Sequence, residues 1–420
     1  MLTQGDNSAG ADVATLWRRT TPEAITHWAY LDNNATTRTD PDVVRAMLPF
    51  FTQSFGNPSS SHDFGSVAAG GAIAEARRQV QALLGGGHVD EIVFTAGATE
   101  ANNTALRQAL QREDRDELIV SAVEHPAVLA VCADLEKHCG IRVCRIGVDG
   151  RGRLDIPAYH RALGPRTALA SIMWANNETG TILPVTELAK MAHEAGALFH
   201  SDATQAVGRI PIDLASTPID MLSLSAHKFH GPKGVGALYV RKGTNFHPLV
   251  RGGRQERGRR AGTENVPGIV GLGTAAVLAR ARLAGDSATI AGLRDGLERA
   301  LLATIADCFV LGDVENRLPG TCAIAFDGVE SEEVLLHLNR AGIAASAGSA
   351  CASGAIEPSH VLRAMRVPYA AALGAVRFSL SRDNTQADIN RVVEALPQIV
   401  AASRAGSPFA MRRRDVESTA

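Results

Sequence analysis

The segment DMLSLSAHKFHGPKGVGALYV, residues 220–240, contains two short apolar stretches separated by a polar, glycine-rich loop. Stretches that are apolar at nearly every position are typical of strands in a parallel sheet that is covered on both faces. Similar stretches recur along the chain, with helical patterns between them: EIVFT (91–95), ELIVSAV (117–123), IRVCRI (141–146), TALASIMW (167–174) and ALFHSD (197–202). The alternation predicts an α/β fold, with a large domain whose mostly parallel sheet is covered by helices.

The pattern changes after about residue 285, where a long helical segment, ATIAGLRDGLERALLATI, leads into shorter strands and helices. This change predicts a smaller α+β domain at residues 286–405. The large domain then occupies mainly residues 29–285, and its first strand, near Tyr30, is a candidate to join the small domain. Residues 1–28 and 406–420 are expected to be a poorly ordered extension and tail.

The composition excludes several functional classes. A net charge of −2 gives no general attraction to nucleic acid or to anionic membranes. The most apolar window, residues 266–285, is interrupted by Arg280 and Arg282, and the N-terminus lacks the apolar region of a secretory signal. Six scattered cysteines without a C-x-x-C pair suit a reducing compartment. We therefore expect a cytoplasmic protein that binds neither a membrane nor nucleic acid.

Lys228 follows a predicted strand and stands between His227 and Phe229. An amine at such an apolar junction is desolvated, which lowers its pKa and makes it a better nucleophile toward a carbonyl carbon. Ser225 and His227 can donate hydrogen bonds to a phosphate group. The alternative is an ordinary surface lysine in a glycine-rich turn. The adjacent GPKGVG segment matches neither common nucleotide-binding motif.

The segment FTAGATEANN, residues 94–103, predicts a strand that passes through a glycine turn into a helix. Ala98 and Thr99 stand at the start of that helix, where free backbone N–H groups and the helix dipole favour an anion. A plain helix cap is the alternative.

In HSDATQAVG, Asp202 ends a strand and Gln205 follows one turn later. A buried carboxylate requires a cationic partner, and a protonated pyridine nitrogen is one candidate.

His125 in EHPAV and Asn177 in WANNETG also follow predicted strands, and an imidazole there can stack on a flat ring. In an open α/β sheet the carboxyl ends of the strands form the edge that binds ligands. A Schiff-base lysine, an acid for a pyridinium, a ring-stacking histidine and phosphate donors together indicate pyridoxal phosphate. The residues that share this edge are Thr99, His125, Asn177, Asp202, Gln205, Ser225, His227 and Lys228.

With these motifs the chain resembles the NifS/IscS cysteine desulfurases, which are class V aminotransferase-like pyridoxal-phosphate enzymes of fold type I. The resemblance is closest to the NifS branch. It spans about residues 29–381 and rests on YLDNNATT (30–37), FGNPSSSH (55–62), FTAGATEANN, EHPAV, NNETG, HSDATQ, SAHKFHGPKG, RGGRQERGRRAGTEN (251–265), SAGSACASG (346–354) and VRFSLS (376–381).

The resemblance implies a role for each matching residue toward the cofactor. Lys228 would form the Schiff base, Asp202 would pair with the pyridine nitrogen, His125 would stack on the ring, and Gln205 would lie near the ring hydroxyl. The phosphate would be held by Ala98, Thr99, Ser225 and His227, with Thr263 reaching the phosphate of a neighbouring subunit. A homodimer is therefore expected.

At the substrate, the resemblance implies that Asn34, Asn177 and Arg377 bind the carboxylate of L-cysteine. A guanidinium suits that role because its fork can grip a carboxylate with two hydrogen bonds. Lys228 would remove the α-proton and His125 would act as an acid or base. A solvated arginine at a strand end is the alternative for Arg377.

Cys351 lies in SAGSACASG, a stretch with no residue larger than serine apart from the thiol itself. One interpretation is a small buried hydrophobe, and the other is a nucleophile on a flexible loop. The resemblance favours the second. Cys351 would attack the substrate sulfur as a thiolate and hold it as a persulfide, leaving L-alanine. The loop would carry that sulfur outward, and the prediction fails if residues 346–354 are rigid and buried.

The expected sulfur acceptor is a NifU-like iron–sulfur scaffold, which would place the enzyme in nitrogenase metallocluster maturation. No intrinsic metal site is expected, although Cys351 would be able to ligate iron transiently together with that scaffold. A selenocysteine lyase or another class V enzyme would keep the cofactor site without needing Cys351, and a non-enzymatic scaffold would lack the cofactor.

The five arginines between Arg251 and Arg260 favour a structural or interface role over RNA binding, because no aromatic residues separate them.

Overall fold

The structure is a computed structural model of the chain and describes residues 28–60, 63–112, 114–347 and 357–406. Its strands are β1 (Ala29–Tyr30), β2 (Ile92–Thr95), β3 (Glu117–Ser121), β4 (Arg142–Ile146), β5 (Thr167–Ser171), β6 (Leu198–Asp202), β7 (Met221–Ser225), β8 (Gly236–Val240), β9 (Cys308–Val310), β10 (Thr321–Phe326), β11 (Ile343–Ala344), β12 (Ser346–Ala347) and β13 (Ala375–Ser379). Its α-helices are α1 (Pro41–Met47), α2 (Pro49–Thr52), α3 (Phe64–Leu84), α4 (Ala98–Leu106), α5 (Pro126–Cys139), α6 (Ile156–Ala162), α7 (Val185–Glu194), α8 (Val266–Thr304), α9 (Ser331–Arg340), α10 (His360–Ala364), α11 (Tyr369–Leu373) and α12 (Gln386–Gly406).

The helix boundaries follow local signals in the sequence. Asp40 precedes α1, and its side chain accepts a hydrogen bond from the backbone N–H of Asp42 while Pro41 takes the first helical position. Helix α3 ends at Gly85, whose φ of 62° is the left-handed conformation that glycine adopts without strain. Both ends are set by local signals, because capping depends only on neighbouring residues.

The large sheet has seven strands in the order β2-β8-β7-β6-β5-β3-β4. Every pair from β4 to β7 is parallel, whereas β8 is antiparallel to both β7 and β2. All strands except β8 therefore point the same way, and their carboxyl ends meet at one edge. The mostly parallel α/β sheet predicted from the sequence is confirmed. Strand β8 reverses because residues 226–235 are too few for a parallel crossover.

A second, antiparallel sheet has the order β12-β13-β10-β9, and β1 pairs in parallel with β11. The chain after β1 continues beside β13, where the N–H of Ser379 donates to the carbonyl oxygen of Leu31 over 2.7 Å. The strand near Tyr30 thus joins the C-terminal elements, as the sequence analysis anticipated. The boundaries proposed at residues 29, 286 and 405 stay a prediction.

Helix α8 differs from its sequence prediction, since it begins at Val266 and passes through residue 285 without a break. Ile269 and Leu272 pack in the core beneath the large sheet, whereas Leu297 and Leu301 pack with the second sheet. One rigid element therefore contributes to both cores. In the part of the chain that the structure describes, α8 alone has the length and hydropathy of a membrane span, but half of its apolar window is buried inside the protein.

Candidate active site

A cavity of about 740 Å³ lies at the edge where the parallel strands end. Most of the residues singled out from the sequence line it together. They are Asn34, Ala98, Thr99, His125, Asn177, Asp202, Gln205, Ser225, His227, Lys228 and Arg377. The structure therefore brings these residues together around one cavity, and their individual roles stay a prediction.

Lys228 closes a short turn directly after β7, and its amino group points back toward the segment that follows β1. The Nζ atom donates to the carbonyl oxygen of Asn34 over 2.7 Å and to that of Ala35 over 2.8 Å. Burial lowers the pKa of Lys228 to about 8, and the positive charges of Arg209 and Arg377 act in the same direction. The amine is thus partly neutral near physiological pH, as a nucleophile toward a carbonyl requires.

Asp202 ends β6 and is 5% exposed. Its Oδ2 atom accepts a hydrogen bond of 2.7 Å from Nδ2 of Asn102, and its Oδ1 atom accepts one of 3.0 Å from the backbone N–H of Thr204. Both bonds fix the orientation of the carboxylate at the edge of the cavity. A protonated ring nitrogen in the cavity would provide the positive charge that this buried group lacks.

Two histidines of the cavity are held as neutral imidazoles. Nδ1 of His125 accepts from the backbone N–H of Ala127 over 3.1 Å, which leaves Nε2 to carry the ring proton, and burial lowers the pKa of His125. Nδ1 of His227 lies 3.0 Å from Oγ1 of Thr36, and burial, with the charge of Lys228, lowers the pKa of His227 to about 4. A neutral, oriented ring is suited to stacking and to hydrogen bonding.

The turn between β2 and α4 forms another wall of the cavity. Helix α4 begins at Ala98, so the N–H groups of its first turn point toward the cavity with the hydroxyl groups of Thr99 and Ser225 nearby. A Cβ atom at Gly236 would lie 2.4 Å from the carbonyl oxygen of Leu224 and 2.8 Å from Cα of Gly97. Only glycine at this position allows β8 to pack against the turn.

Arg377 on β13 lies in the opposite wall and is 7% exposed. Its Nη2 atom donates to Oδ1 of Asp32 over 2.7 Å, and its Nη1 atom donates to the carbonyl oxygen of Asn177 over 2.8 Å. Nδ2 of Asn34 donates to the same carbonyl oxygen over 3.0 Å. A cationic fork and two asparagines are thereby gathered in the same cavity that Lys228 lines.

Of the two remaining predicted residues, the structure describes only Thr263. Thr263 is exposed and lines a smaller cleft of about 230 Å³, which shares Ala96 and Gly234 with the large cavity. Its expected contact with a neighbouring subunit stays a prediction. Cys351 and most of the loop at 346–354 lie outside the described residues, so the shuttle prediction is untested.

The sequence analysis missed several residues that support the site. Asn102 supports Asp202 and Asp32 pairs with Arg377, as described above. Arg209 contacts Asn34 and Gln205, and it lies four residues after Gln205 in HSDATQAVGR. Helical spacing was a usable signal for Asn102 and Arg209, because residues three or four positions apart share a face. Asp32 carried no comparable signal.

Several arginines of segment 251–265 contact other parts of this chain. Arg260 forms two hydrogen bonds to Glu100 at the start of α4, of 2.8 and 3.0 Å, and Arg257 pairs with Asp90. Arg77 grips the buried Glu256 through bonds of 2.6 and 2.7 Å. These contacts support the structural role preferred from the sequence and tie the segment to the turn beside the cavity.

The side chains present match the groups of pyridoxal phosphate. The orphan N–H groups of α4, with Thr99, Ser225 and His227, form a polar end for a phosphate. Asp202, supported by Asn102, offers a buried negative charge for a ring nitrogen, and Lys228 offers a partly neutral amine at a second position. This combination of donors, acid and amine fits the cofactor.

Comparison with known proteins agrees with this geometry. Residues 29–392 match the family described as aminotransferase class-V. The chain is 64% identical over 381 residues to a cysteine desulfurase of Gluconacetobacter diazotrophicus, covering 90% of this chain and 95% of that protein. It is 54% identical to the cysteine desulfurase NifS of Azotobacter vinelandii, covering 90% and 94%.

A solved structure described as a NifS-like protein superposes on this chain with a TM-score of 0.84. It is 36% identical and covers 89% of this chain and 100% of its own. Family, fold and cavity therefore lead to one assignment. The chain belongs to the class-V aminotransferase family, within its pyridoxal-phosphate-dependent cysteine desulfurases of the NifS/IscS type.

Proposed function

We propose that this chain converts L-cysteine to L-alanine and retains the sulfur as a persulfide on Cys351. The observation that carries the proposal is the position of Lys228, Asp202 and Arg377 around one cavity. A basic amine, a buried carboxylate and a cationic fork are the groups that a cofactor-dependent reaction of an amino acid requires.

The cofactor end of the cavity supports the first part. Pyridoxal phosphate, when bound, supplies an electron-withdrawing ring that stabilises negative charge at the substrate α-carbon. Asp202 would keep the ring nitrogen protonated, and His125 would stack on the ring with Gln205 near its hydroxyl. Ala98, Thr99, Ser225 and His227 would hold the phosphate.

Lys228 has two successive tasks in this proposal. Its amine would first attach the cofactor and, once displaced by the amino group of cysteine, would take the proton from the α-carbon. The lowered pKa of about 8 supports both tasks, because the amine must be neutral to attack or to accept a proton. His125, a neutral imidazole, would relay a proton near the substrate thiol.

The substrate carboxylate would lie against Arg377, Asn177 and Asn34, whose side chains line the wall facing Lys228. Charge-assisted hydrogen bonds to a guanidinium are roughly twice as strong as neutral ones, so this wall would fix the orientation of the amino acid. In this proposal the α-proton of the bound amino acid would face the amine of Lys228.

The sulfur transfer balances without an added oxidant. The thiolate of Cys351 would attack the substrate sulfur, an S–S bond would form, and the S–Cβ bond would break. The electron pair of the broken bond would go to the carbon fragment, which is protonated and leaves as alanine. Cysteine and the Cys351 thiol thus become alanine and a persulfide.

We further propose a cytoplasmic homodimer in which Thr263 of each chain reaches toward the phosphate of the other. The exposure of Thr263 beside the phosphate turn supports this arrangement. The sulfur would then pass to a NifU-like iron–sulfur scaffold that serves nitrogenase clusters, with Cys351 as a transient shared ligand of iron. The similarity to a relative named NifS supports that destination.

The deciding experiment is anaerobic incubation of the purified holoenzyme with L-cysteine, followed by alanine analysis and mass mapping of the persulfide. We expect alanine, and 32 Da added to the peptide that contains Cys351, an increment set by the mass of one sulfur atom. Cys351→Ala should keep the visible absorbance of the cofactor and lose alanine formation from cysteine. Normal turnover by that variant, with alanine released equally from selenocysteine, would favour a selenocysteine lyase instead.

A further inference from the structure

Arg209 lies behind the cavity wall and links three segments that form it. Its Nη1 atom donates to Oε1 of Gln205 over 2.7 Å and also to Oδ1 of Asn34. Its Nη2 atom donates to the carbonyl oxygen of Asn33 over 2.9 Å and to that of Lys228 over 3.1 Å. One guanidinium therefore joins the segment after β1, the turn after β6 and the turn that contains Lys228.

Every acceptor of Arg209 just named is neutral. Across the described ranges of the chain, Arg209 forms no ion pair with a carboxylate, in contrast to Arg377, which pairs with Asp32. Burial lowers the pKa of Arg209 to about 10, and the charge of Arg377 contributes. A buried cation without a counterion is costly to the fold, so its presence beside Lys228 calls for an explanation in the site itself.

The charges around Lys228 come from every element that packs against it. Arg209 from the turn after β6 and Arg377 from β13 disfavour its protonated form, whereas Asp202 from β6 and Asp32 from the segment after β1 favour it. His125, His227 and Lys233 also line the same cavity. Asp32 is already paired with Arg377. Of the two arginines that disfavour the protonated form of Lys228, Arg209 is therefore the one that no carboxylate of the described residues pairs with.

We propose that Arg209 is a positioning residue that holds Gln205 and Asn34 toward the cofactor cavity. Its unpaired positive charge also favours loss of the proton from the nitrogen of Lys228. This inference rests on the proposed function, in which Lys228 binds the cofactor. It assigns Arg209 two separable effects, one that depends on its forked shape and one that depends on its charge.

The test is a pH titration of the visible absorbance of the holoenzyme, which follows protonation of the nitrogen that joins Lys228 to the cofactor. Arg209→Met removes both the positive charge and the forked set of hydrogen-bond donors of the guanidinium. We expect the midpoint of the titration to rise by about one pH unit, a tenfold gain in proton affinity, because a repelling cation has been removed. Arg209→Lys keeps the charge and should hold the midpoint near that of the wild type.

The two variants also separate shape from charge in turnover. Arg209→Lys should raise KM for cysteine several-fold, because an ammonium group cannot hold Gln205 and Asn34 together. Arg241→Met is a matched control, since Arg241 also donates to backbone carbonyls, those of Ile219, Leu214 and Thr217, at a distance from the cavity. Arg241→Met should lower the midpoint of thermal unfolding without changing the pH midpoint of the visible absorbance.

An unchanged absorbance midpoint in Arg209→Met, or an equal shift in Arg241→Met, would overturn the inference. If Arg209→Met does not retain cofactor, Arg209→Gln provides the neutral comparison with Arg209→Lys, and equal midpoints in that pair would also overturn it. Failure of the proposed function is distinguishable, because the wild type would then form no alanine from L-cysteine, whatever the absorbance midpoints of the variants.

Discussion

The guanidinium of Arg377 donates a hydrogen bond of 2.7 Å to the carboxylate of Asp32, 345 positions away in the chain. Arg377 is therefore held before any substrate arrives, with one arm on Asp32 and the other on the carbonyl oxygen of Asn177. The same pairing offsets the positive charge of a side chain that is almost completely buried. Asp32 thus sets both the orientation and the charge of the cavity wall opposite Lys228.

Removal of Asp32 should weaken substrate binding more than it slows turnover. We expect Asp32→Ala to raise KM for cysteine about tenfold and to change kcat much less, because the guanidinium loses the contact that orients it. Asp32→Asn keeps an acceptor in the same place and should recover most of the loss. Steady-state kinetics of both variants test this, and an unaltered KM in Asp32→Ala would contradict it.

Substitutions of Asp202 and Asn102 should reduce alanine formation to different extents, although the two side chains contact each other. Asp202→Asn removes the buried negative charge, and we expect alanine formation to fall by at least about a hundredfold, since the cofactor ring loses its partner. Asn102→Ala removes only the supporting donor and should cost about tenfold. Visible absorbance and cofactor content report whether the loss lies in binding or in chemistry. Equal activity in Asp202→Asn and wild type would refute the assignment.

Gly236 should tolerate no side chain. Gly236→Ala places a methyl group 2.8 Å from Cα of Gly97 and 2.4 Å from the carbonyl oxygen of Leu224, so the turn before α4 must move. We expect cofactor affinity to fall about tenfold or more and the thermal midpoint to drop by several degrees. Gly71→Ala, on α3 with no neighbour within 4 Å, is the matched control and should be neutral or slightly stabilising.

His200 should make stability fall as the solution becomes acidic. Its ring is buried between Oγ of Ser171 at 2.8 Å and Oγ of Ser223 at 2.9 Å, and burial lowers its pKa to about 4. The unfolded chain binds a proton on His200 below about pH 6.5, whereas the folded chain resists until about pH 4. Folding is therefore progressively disfavoured as the pH falls from 6.5 to 4.

The corresponding loss is about 1 kcal/mol of unfolding free energy per pH unit within that window. Urea titrations of the wild type and His200→Gln should show a shallower pH dependence in the variant, because glutamine does not titrate. Parallel slopes for the two proteins would show that other groups dominate. The holoenzyme is used throughout, so that both proteins contain the cofactor.

Much of the architecture is encoded in short segments. The apolar strands β5, β6 and β7 and the capped ends of α1 and α3 depend on residues within a few positions of each other, and the three strands were predicted. The antiparallel direction of β8 was also readable, because the linker from Ser225 to Gly236 is too short for a crossover. The full length of α8 was not predicted, since its N-terminal half is rich in glycine and apolar all round.

The sequence by itself determined which residues meet at the edge of the sheet. Asp202 ends a strand, and Thr99, His125, Asn177 and Lys228 follow strands. In a sheet of mostly parallel strands that position alone brings them together. Only the tertiary structure decided what holds them there. Asn102 reaches Asp202, Arg209 reaches Asn34, and Asp32 reaches Arg377, each over about a hundred positions or more. Such pairs arise when separate elements pack. Helical spacing could place Asn102 and Arg209 on the right face, but no local pattern names the distant residue that each of them contacts.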